Sequence, residues 1–182
     1  IGVGLVGSEM CIRDSANIDD AVYEGVELAE GFSKSLDNRE KELNKMFPNT
    51  KVNFIKDDVK YYDFKNCSLV TSIFTLQFMS MKDRENIIKK IYNGLNVGGG
   101  FLFAEKLICT NAKLQEMMTF NYYDYKRKHF EAKDIMDKER TLRHMLKPNT
   151  WKEIKTMILN AGFQDVQCFW SNHLFVGALA IK

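Results

Sequence analysis

The sequence predicts an α/β fold built on a doubly wound sheet. From residue 22 onward, short apolar runs alternate with longer amphipathic segments, which is typical of strands connected by helices. The run at 68–74 is the most continuously apolar, as expected for a strand buried on both faces. Two last runs, 166–170 and 174–180, are separated by three polar residues and predict an antiparallel hairpin. We therefore expect a mainly parallel sheet with an antiparallel strand near its edge.

The first half of the chain supplies strands and helices in alternation. Apolar runs predict strands at 22–28 and 52–55, ahead of the run at 68–74. Between the first two, apolar residues at helical spacing predict a helix over 31–47, which Pro48 ends. Ser80, with an acidic residue three positions on, resembles a capping box and begins the next helix.

The second half contains an interruption before the sheet resumes. Gly98–Gly100 are predicted to turn the chain into a strand at 101–104. Residues 111–146 mix methionine and aromatic residues with many charged residues, which predicts two or three inserted helices. The apolar side chains of these helices are predicted to form a helix core or line a substrate site. Thr150 and Glu153 form a capping box, and Gly162 suits a left-handed end to that helix.

Composition limits the class of protein. The 182 residues are 45% hydrophobic and 27% charged, which suffices for one well-cored domain. The 26 Lys and Arg residues nearly balance 24 Asp and Glu residues, which argues against a nucleic-acid coat or a polybasic membrane binder. No run approaches the ~20 apolar residues of a membrane span. The four Cys and three His residues are scattered, so we expect free thiols, a cytoplasmic location and no metal site.

The chain opens on a literal G-x-G-x-x-G at 2–7, and Glu27 follows 20 residues after Gly7. Such glycines, with a later acid, form the dinucleotide-binding fingerprint, but that motif requires a preceding strand and only Ile1 precedes it here. Residues 6–15 resemble a tail found on unrelated chains translated from adaptor sequence. We expect a non-native segment over 1–15 rather than a genuine loop, and a single domain over 16–182.

Acidic residues end two successive predicted strands. Glu27 can accept both hydrogen bonds of a ribose diol at the carboxyl end of the first strand. Asp58 can accept a hydrogen bond from an adenine amino group, while Val59 packs on the ring. Each acid could equally be a solvated strand end. Together, however, they favour a nucleoside-binding sheet edge.

Two later segments are candidates for the substrate side. Residues 74–78, F-T-L-Q-F, follow the most apolar strand and could be core aromatics or the floor of a ligand pocket. Residues 126–155 hold ten Lys and Arg against five Asp and Glu. This local excess favours a small anionic substrate, or a contact surface for RNA or another subunit.

From residue 22 to its end, the chain resembles class I S-adenosylmethionine-dependent methyltransferases. More narrowly, it resembles the carboxy-S-adenosyl-L-methionine synthase family. The resemblance covers about seven-eighths of the chain, and its matching stretches are F-T-L-Q-F at 74–78, K-I-Y-N-G-L-N-V-G-G at 90–99, A-E-K at 104–106, D-Y-K-R at 124–127 and A-G-F at 161–163.

The resemblance implies roles for individual residues. The ribose-binding acid of the family matches Glu27, and its adenine-binding pair matches Asp58 and Val59. Ile73 stands where the family has a ligand-binding Asn. The family's carboxylate-clamping Arg falls opposite Glu139 in the best ungapped register, and a shift of one residue gives Arg140, our candidate catalytic residue.

The resemblance also implies an activity. The family transfers the carboxyl group of prephenate to the methyl group of S-adenosylmethionine, releasing phenylpyruvate, and a partner enzyme uses the carboxymethyl group on a tRNA wobble uridine. It implies S-adenosylmethionine or its carboxylated product as cofactor, and a homodimer that contacts itself through the inserted helices. It further implies that the first strand and glycine loop are missing between the strands at 22 and 68. An ordinary methyltransferase acting on a small molecule and a non-catalytic binding module are the alternatives.

Overall fold

The computed structural model describes residues 21–182, and these residues form the predicted α/β arrangement. Strand β1 (Val22–Glu27) pairs in parallel with β2 (Lys51–Lys56). A short 3-10 turn and helix α1 (Ser33–Met46) connect them. The side-chain amide of Asn44 both donates to and accepts from the backbone of Val52 at 2.8 Å, which fixes α1 against β2. The first strand-helix-strand unit is thus confirmed.

A second sheet contains the other four described strands in the order β3-β4-β6-β5. Strand β3 (Cys67–Ile73) pairs in parallel with β4 (Leu95–Lys106) across helix α2 (Met81–Gly94). Strands β5 (Val166–Asn172) and β6 (Phe175–Ile181) form the predicted antiparallel hairpin, and β6 also pairs antiparallel with β4. The hairpin turn is tighter than predicted, because it needs only two residues between the strands.

The helix ends follow the capping signals. The Ser80 hydroxyl accepts a hydrogen bond from the backbone N–H of Asp83 at the start of α2. Helices α3 (Ala112–Lys126) and α4 (Ala132–Arg143) form the predicted insert. Helix α5 (Trp151–Ala161) begins with the complete capping box at Thr150 and ends at Gly162, where φ is 119°. Only glycine adopts that conformation easily, so the predicted left-handed end is confirmed.

One hydrophobic core joins both sheets. Val26 of β1 belongs to the same cluster of buried side chains as Phe101 and Phe103 of β4 and Ile87 and Ile158 of the covering helices. Complete burial of each such side chain contributes ~1.5–3 kcal/mol to folding. The two sheets are therefore held together by apolar packing.

Three expectations about the elements were wrong. Strand β3 is not buried on both faces along its length, because Ser68 and Leu69 are exposed between the buried Cys67 and Val70. Gly98–Gly100 lie inside the long strand β4 rather than in a turn before it, although Gly98 has a φ of 79°. Helix α3 has no buried residue, so its aromatic side chains do not form a helix core.

Strands β1 and β3 are not paired with each other among the described residues. The predicted central strand between them stays a prediction, and the glycine motif at 2–7 and the segment 1–15 lie outside the described residues. In the part of the chain that the structure describes, no helix is both long enough and apolar enough to cross a membrane.

Candidate functional site

A cleft of about 730 Å³ opens at the carboxyl ends of β1 and β2. In doubly wound sheets, ligands bind outside this end of the strands. The cleft includes two of the predicted site residues, and its lining is Glu27, Leu28, Ala29, Glu30, Ser33, Leu36, Lys56, Asp57, Asp58 and Tyr61. The acids that follow two successive strands therefore share one cleft, as the sequence indicated.

Glu27 is positioned by its own strand end. Its Oε1 accepts a hydrogen bond from the backbone N–H of Ala29 at 2.8 Å, which holds the half-buried side chain at the cleft wall. The backbone N–H of Asp57 donates to the Glu27 carbonyl at 3.2 Å and so extends the pairing of the two strands into the site. Among residues 21–182, no hydrogen bond reaches Oε2 of Glu27. The free oxygen suits a ligand with adjacent hydroxyl groups.

Asp58 is oriented by Lys60, which binds it twice. The backbone N–H of Lys60 donates to Oδ1 at 2.9 Å, and its Nζ lies 3.0 Å from Oδ2. The Asp58 carboxylate in turn raises the pKa of Lys60 through this hydrogen bond and its charge. A carboxylate oxygen has two lone pairs, so each can still accept a hydrogen bond from a ligand amino group.

The cleft is lined by Tyr61 and not by Val59, the residue that the sequence indicated for packing on the ring. Val59 is only 6% exposed and packs in the hydrophobic core, outside the cleft lining. Tyr61, which the sequence analysis missed, lines the cleft and is 77% exposed. An aromatic ring three residues after Asp58 was the available signal. Tyr61 is therefore the better placed side chain for packing on a flat base.

The cleft is acidic. Glu27, Glu30, Asp57 and Asp58 supply four carboxylates, and Lys56 supplies one ammonium group. The lining residues thus have a formal charge of −3, although the Lys60 ammonium pairs with Asp58 from outside the lining. Such a concentration of one sign attracts ligands of the opposite sign. The cleft thus suits a cationic ligand and is unfavourable for an anionic one.

Ile73 lies at the carboxyl end of β3, opposite Ala104 of β4, and is not among the residues that line the cleft. The next residue, Phe74, has a φ of 55°, a backbone conformation that costs energy for a bulky residue. Its ring is 38% exposed and packs edge-on against Phe175 at 5.6 Å between centroids. Strain at the carboxyl end of β3 is typical of a position under functional constraint.

The turn after Phe74 is fixed to β4 by two side chains. The backbone N–H of Leu76 donates to Oε1 of Glu105 at 3.2 Å, and the side-chain carbonyl of Gln77 accepts from the backbone N–H of Lys106 at 2.8 Å. Glu105 is almost completely buried, and burial raises its pKa to about 8 despite the opposing charge of Arg84. Most Glu105 side chains are therefore protonated at neutral pH.

Arg140 lies on the outer face of α4. Its side chain is 78% exposed and pairs with Asp137 one turn earlier at 3.4 Å, and it does not line the cleft. Glu139, the preceding residue, points inward to Lys126 at 3.2 Å and Lys106 at 4.0 Å. Successive helix residues are rotated by ~100°, so the two positions face different surroundings. The role of Arg140 stays a prediction.

Solved structures share this architecture over the whole chain. A putative O-methyltransferase from Nostoc punctiforme matches with a TM-score of 0.66 at 16% identity, and the match covers 51% of that protein. An S-adenosylmethionine-dependent methyltransferase from Methanosarcina mazei matches with a TM-score of 0.63 at 13% identity over 92% of its chain. The protein therefore has the class I S-adenosylmethionine-dependent methyltransferase fold.

Sequence relatives define the family more narrowly. Carboxy-S-adenosyl-L-methionine synthases from Staphylococcus epidermidis and Campylobacter concisus are 38% and 31% identical to this chain, over 72% and 100% of its length. The chain belongs to the carboxy-S-adenosyl-L-methionine synthase family, a family of transferases. It spans 58% of the Staphylococcus protein and 75% of the Campylobacter protein. No family model matches the sequence.

Proposed function

We propose that the protein binds S-adenosylmethionine and converts it to carboxy-S-adenosylmethionine with prephenate as carboxyl donor. In this reaction a methyl hydrogen is replaced by the carboxyl group, and prephenate loses its carboxyl and hydroxyl groups to leave phenylpyruvate and water. The observation that carries the proposal is the acidic cleft that Glu27 and Asp58 share at adjacent strand ends, in a chain of this family.

The residues of the cleft fit the adenosyl group. The unpaired oxygen of Glu27 suits the ribose diol, the Asp58 carboxylate suits the adenine amino group, and the exposed ring of Tyr61 suits the base. The sulfonium and amino groups of S-adenosylmethionine are cationic and match the −3 charge of the cleft. When bound, S-adenosylmethionine supplies the activated methyl group.

Direct product analysis tests the activity. Incubation with S-adenosylmethionine and prephenate should give phenylpyruvate and a carboxylated cofactor in equal amounts by mass spectrometry. Glu27→Gln should weaken binding of S-adenosylhomocysteine about tenfold or more, because a hydrogen bond to a charged group contributes ~1.5–3 kcal/mol. The matched control is Glu42→Gln, an exposed acid on α1 outside the cleft. Equal affinity in both variants, or neither product, would overturn the proposal.

An ordinary methyltransferase acting on a small molecule is the second candidate. Two observations favour it: the apolar Ile73 stands where the family has an Asn, and Arg140 points away from the cleft. In that case S-adenosylhomocysteine would accumulate with a suitable acceptor, and prephenate would be left intact. If Arg140 does bind the product, Arg140→Ala should weaken the carboxylated cofactor much more than S-adenosylhomocysteine.

We further propose a homodimer and an indirect role in tRNA wobble-uridine modification through a downstream transferase in the cytoplasm. Helix α3 supports the dimer, since Leu114, Met117 and Phe120 are each more than half exposed along it. Apolar surface of this extent commonly marks an interface. Analytical ultracentrifugation should show a dimer, and Phe120→Asp should shift it toward the monomer. A monomeric parent protein would contradict the dimer.

A further inference from the structure

Three nearly buried charges meet beyond the carboxyl end of β4. Lys106 ends that strand, Lys126 ends α3 and Glu139 lies on the inner face of α4. Their side chains are 17%, 13% and 15% exposed, and the Glu139 carboxylate lies between the two ammonium groups. We call this set the Lys–Glu–Lys cluster. In every other ion pair of residues 21–182, at least one side chain is more than a third exposed.

The charges of the cluster do not balance. Two ammonium groups face one carboxylate, which leaves a net charge of +1 where solvent is largely excluded. Unbalanced charge is costly in such surroundings, and a second carboxylate would relieve the cost. Lys126 is already engaged, since its Nζ bonds to Glu139 and lies 4.2 Å from the centre of the Tyr122 ring. Lys106 lies 4.0 Å from Glu139, and its Nζ has no hydrogen-bond acceptor among the described residues.

Aromatic rings border the cluster on the same side of the sheet. Lys106 is directly opposite Phe175 in the β4–β6 ladder, so their side chains share a face. The Phe175 ring contacts Phe74 at 5.6 Å and Tyr122 at 5.3 Å. Phe74 is the strained, partly exposed residue at the end of β3. The ammonium of Lys106 therefore adjoins an apolar aromatic wall at the edge where doubly wound sheets bind ligands.

We infer that Lys106 and Lys126 bind the carboxylate of the small-molecule substrate beside Glu139, which competes for the same two ammonium groups. The assignment rests on the proposed function for the identity of the substrate. The acidic cleft holds the cationic cofactor, while this cluster receives the anion, so the two charges are bound at separate places. Lys106 donates the hydrogen bonds that the substrate carboxylate accepts. Without the negative charge of Glu139, the two ammonium groups attract the substrate carboxylate more strongly.

The kinetic test compares three variants with one control. Lys106→Met and Lys126→Met keep most of the length of the side chain without its charge, and each should raise KM for prephenate about tenfold or more. Glu139→Gln should lower KM, because it removes the competing carboxylate. Affinity for S-adenosylhomocysteine should stay within about twofold throughout. The control is Lys128→Met, an exposed lysine of the same segment, which should behave as the parent protein.

The direction of the Glu139→Gln effect separates binding from structure. If the cluster only anchors α4, all three variants should lower the denaturation midpoint and impair prephenate use in the same direction. That result, or a Lys106→Met KM equal to that of Lys128→Met, would overturn the assignment while leaving the proposed synthase activity intact.

A binding probe keeps the inference testable if prephenate is not a substrate. Calorimetric titration should show that 3-phenylpropionate binds the parent protein more tightly than its uncharged amide does. Lys106→Met should weaken the acid about tenfold and leave the amide unchanged. This outcome would support the anion site even where the proposed activity had failed. Equal binding of acid and amide to the parent protein would overturn it.

Discussion

Replacing Glu105 by Gln should abolish a pH dependence of stability that a single buried carboxyl creates. Glu105 is 3% exposed, and burial raises its pKa from 4.5 to about 8 in the folded protein. Between about pH 4.5 and pH 8, Glu105 therefore keeps its proton in the folded state and releases it in the unfolded state. Stability from this group is thus complete below about pH 4.5 and is lost as pH rises toward 8.

The size of the effect follows from the same two values. Each tenfold difference in proton affinity corresponds to ~1.4 kcal/mol, so the free energy of unfolding should fall by up to ~4 kcal/mol between about pH 4.5 and 8. Glutamine is neutral throughout and still offers a carbonyl oxygen to the backbone N–H of Leu76. The variant should therefore show no such slope and should be the more stable protein at about pH 8.

Urea denaturation followed by tryptophan fluorescence at several pH values measures the slope. The control is Glu153→Gln, because hydrogen bonds from the Thr150 backbone and hydroxyl lower the pKa of the exposed Glu153. The stability that Glu153 contributes is lost only as pH falls through this lowered pKa. The free energy of unfolding of Glu153→Gln should therefore differ from that of the parent protein by a constant amount between about pH 5 and 8. If Glu105→Gln also differs from the parent by a constant amount over this range, the reasoning is refuted.

Three further substitutions, one of them with a matched control, test the local structure by urea denaturation. Thr150→Ala removes the cap of α5 and should lower the free energy of unfolding by ~1 kcal/mol. An unchanged free energy would show that the cap does not stabilise the protein. Gly162→Ala should lower the free energy of unfolding by more than ~1 kcal/mol, because φ is 119° and the new methyl group would lie 2.7 Å from the Tyr92 ring. A more stable variant would contradict this. Tyr62→Phe removes a hydrogen bond to Glu24 on β1 and should cost ~1 kcal/mol, whereas Tyr61→Phe, which alters an exposed ring, should cost nothing measurable.

The elements were predictable where a local signal decides them. Ser80, Thr150 and Gly162 act through backbone groups within a few residues, so their patterns located helix ends correctly. The aromatic residues of α3 misled the interpretation, because whether a helix face is buried depends on what packs against it. The glycines at 98–100 misled it for a related reason. Gly100 pairs with β3 and β6, and backbone hydrogen bonds join Gly98 and Gly99 to Lys182, so all three are held in the strand.

The cleft was predictable in part. Strand ends of a parallel sheet meet at one edge, so Glu27 and Asp58 could be brought together from the order of elements alone. Val59 and Tyr61 could not be distinguished in this way, since the direction of a side chain in a loop depends on the backbone path after the strand. The loop turns Val59 into the core and leaves Tyr61 at the cleft.

The choice between positions 139 and 140 shows why charge counting alone could not locate the anion site. Residues 126–155 carry a local excess of positive charge, yet most of it is on exposed side chains that water and salt screen. Lys126 is the lysine of this segment that is nearly buried in the cluster. Its partner Lys106 belongs to β4, so a count of charges over 126–155 does not include it. Helix α4 then presents Glu139 inward and Arg140 outward. The proposed anion site therefore depends on which charge faces Lys106, and the rotation of one helix places Glu139 there rather than Arg140.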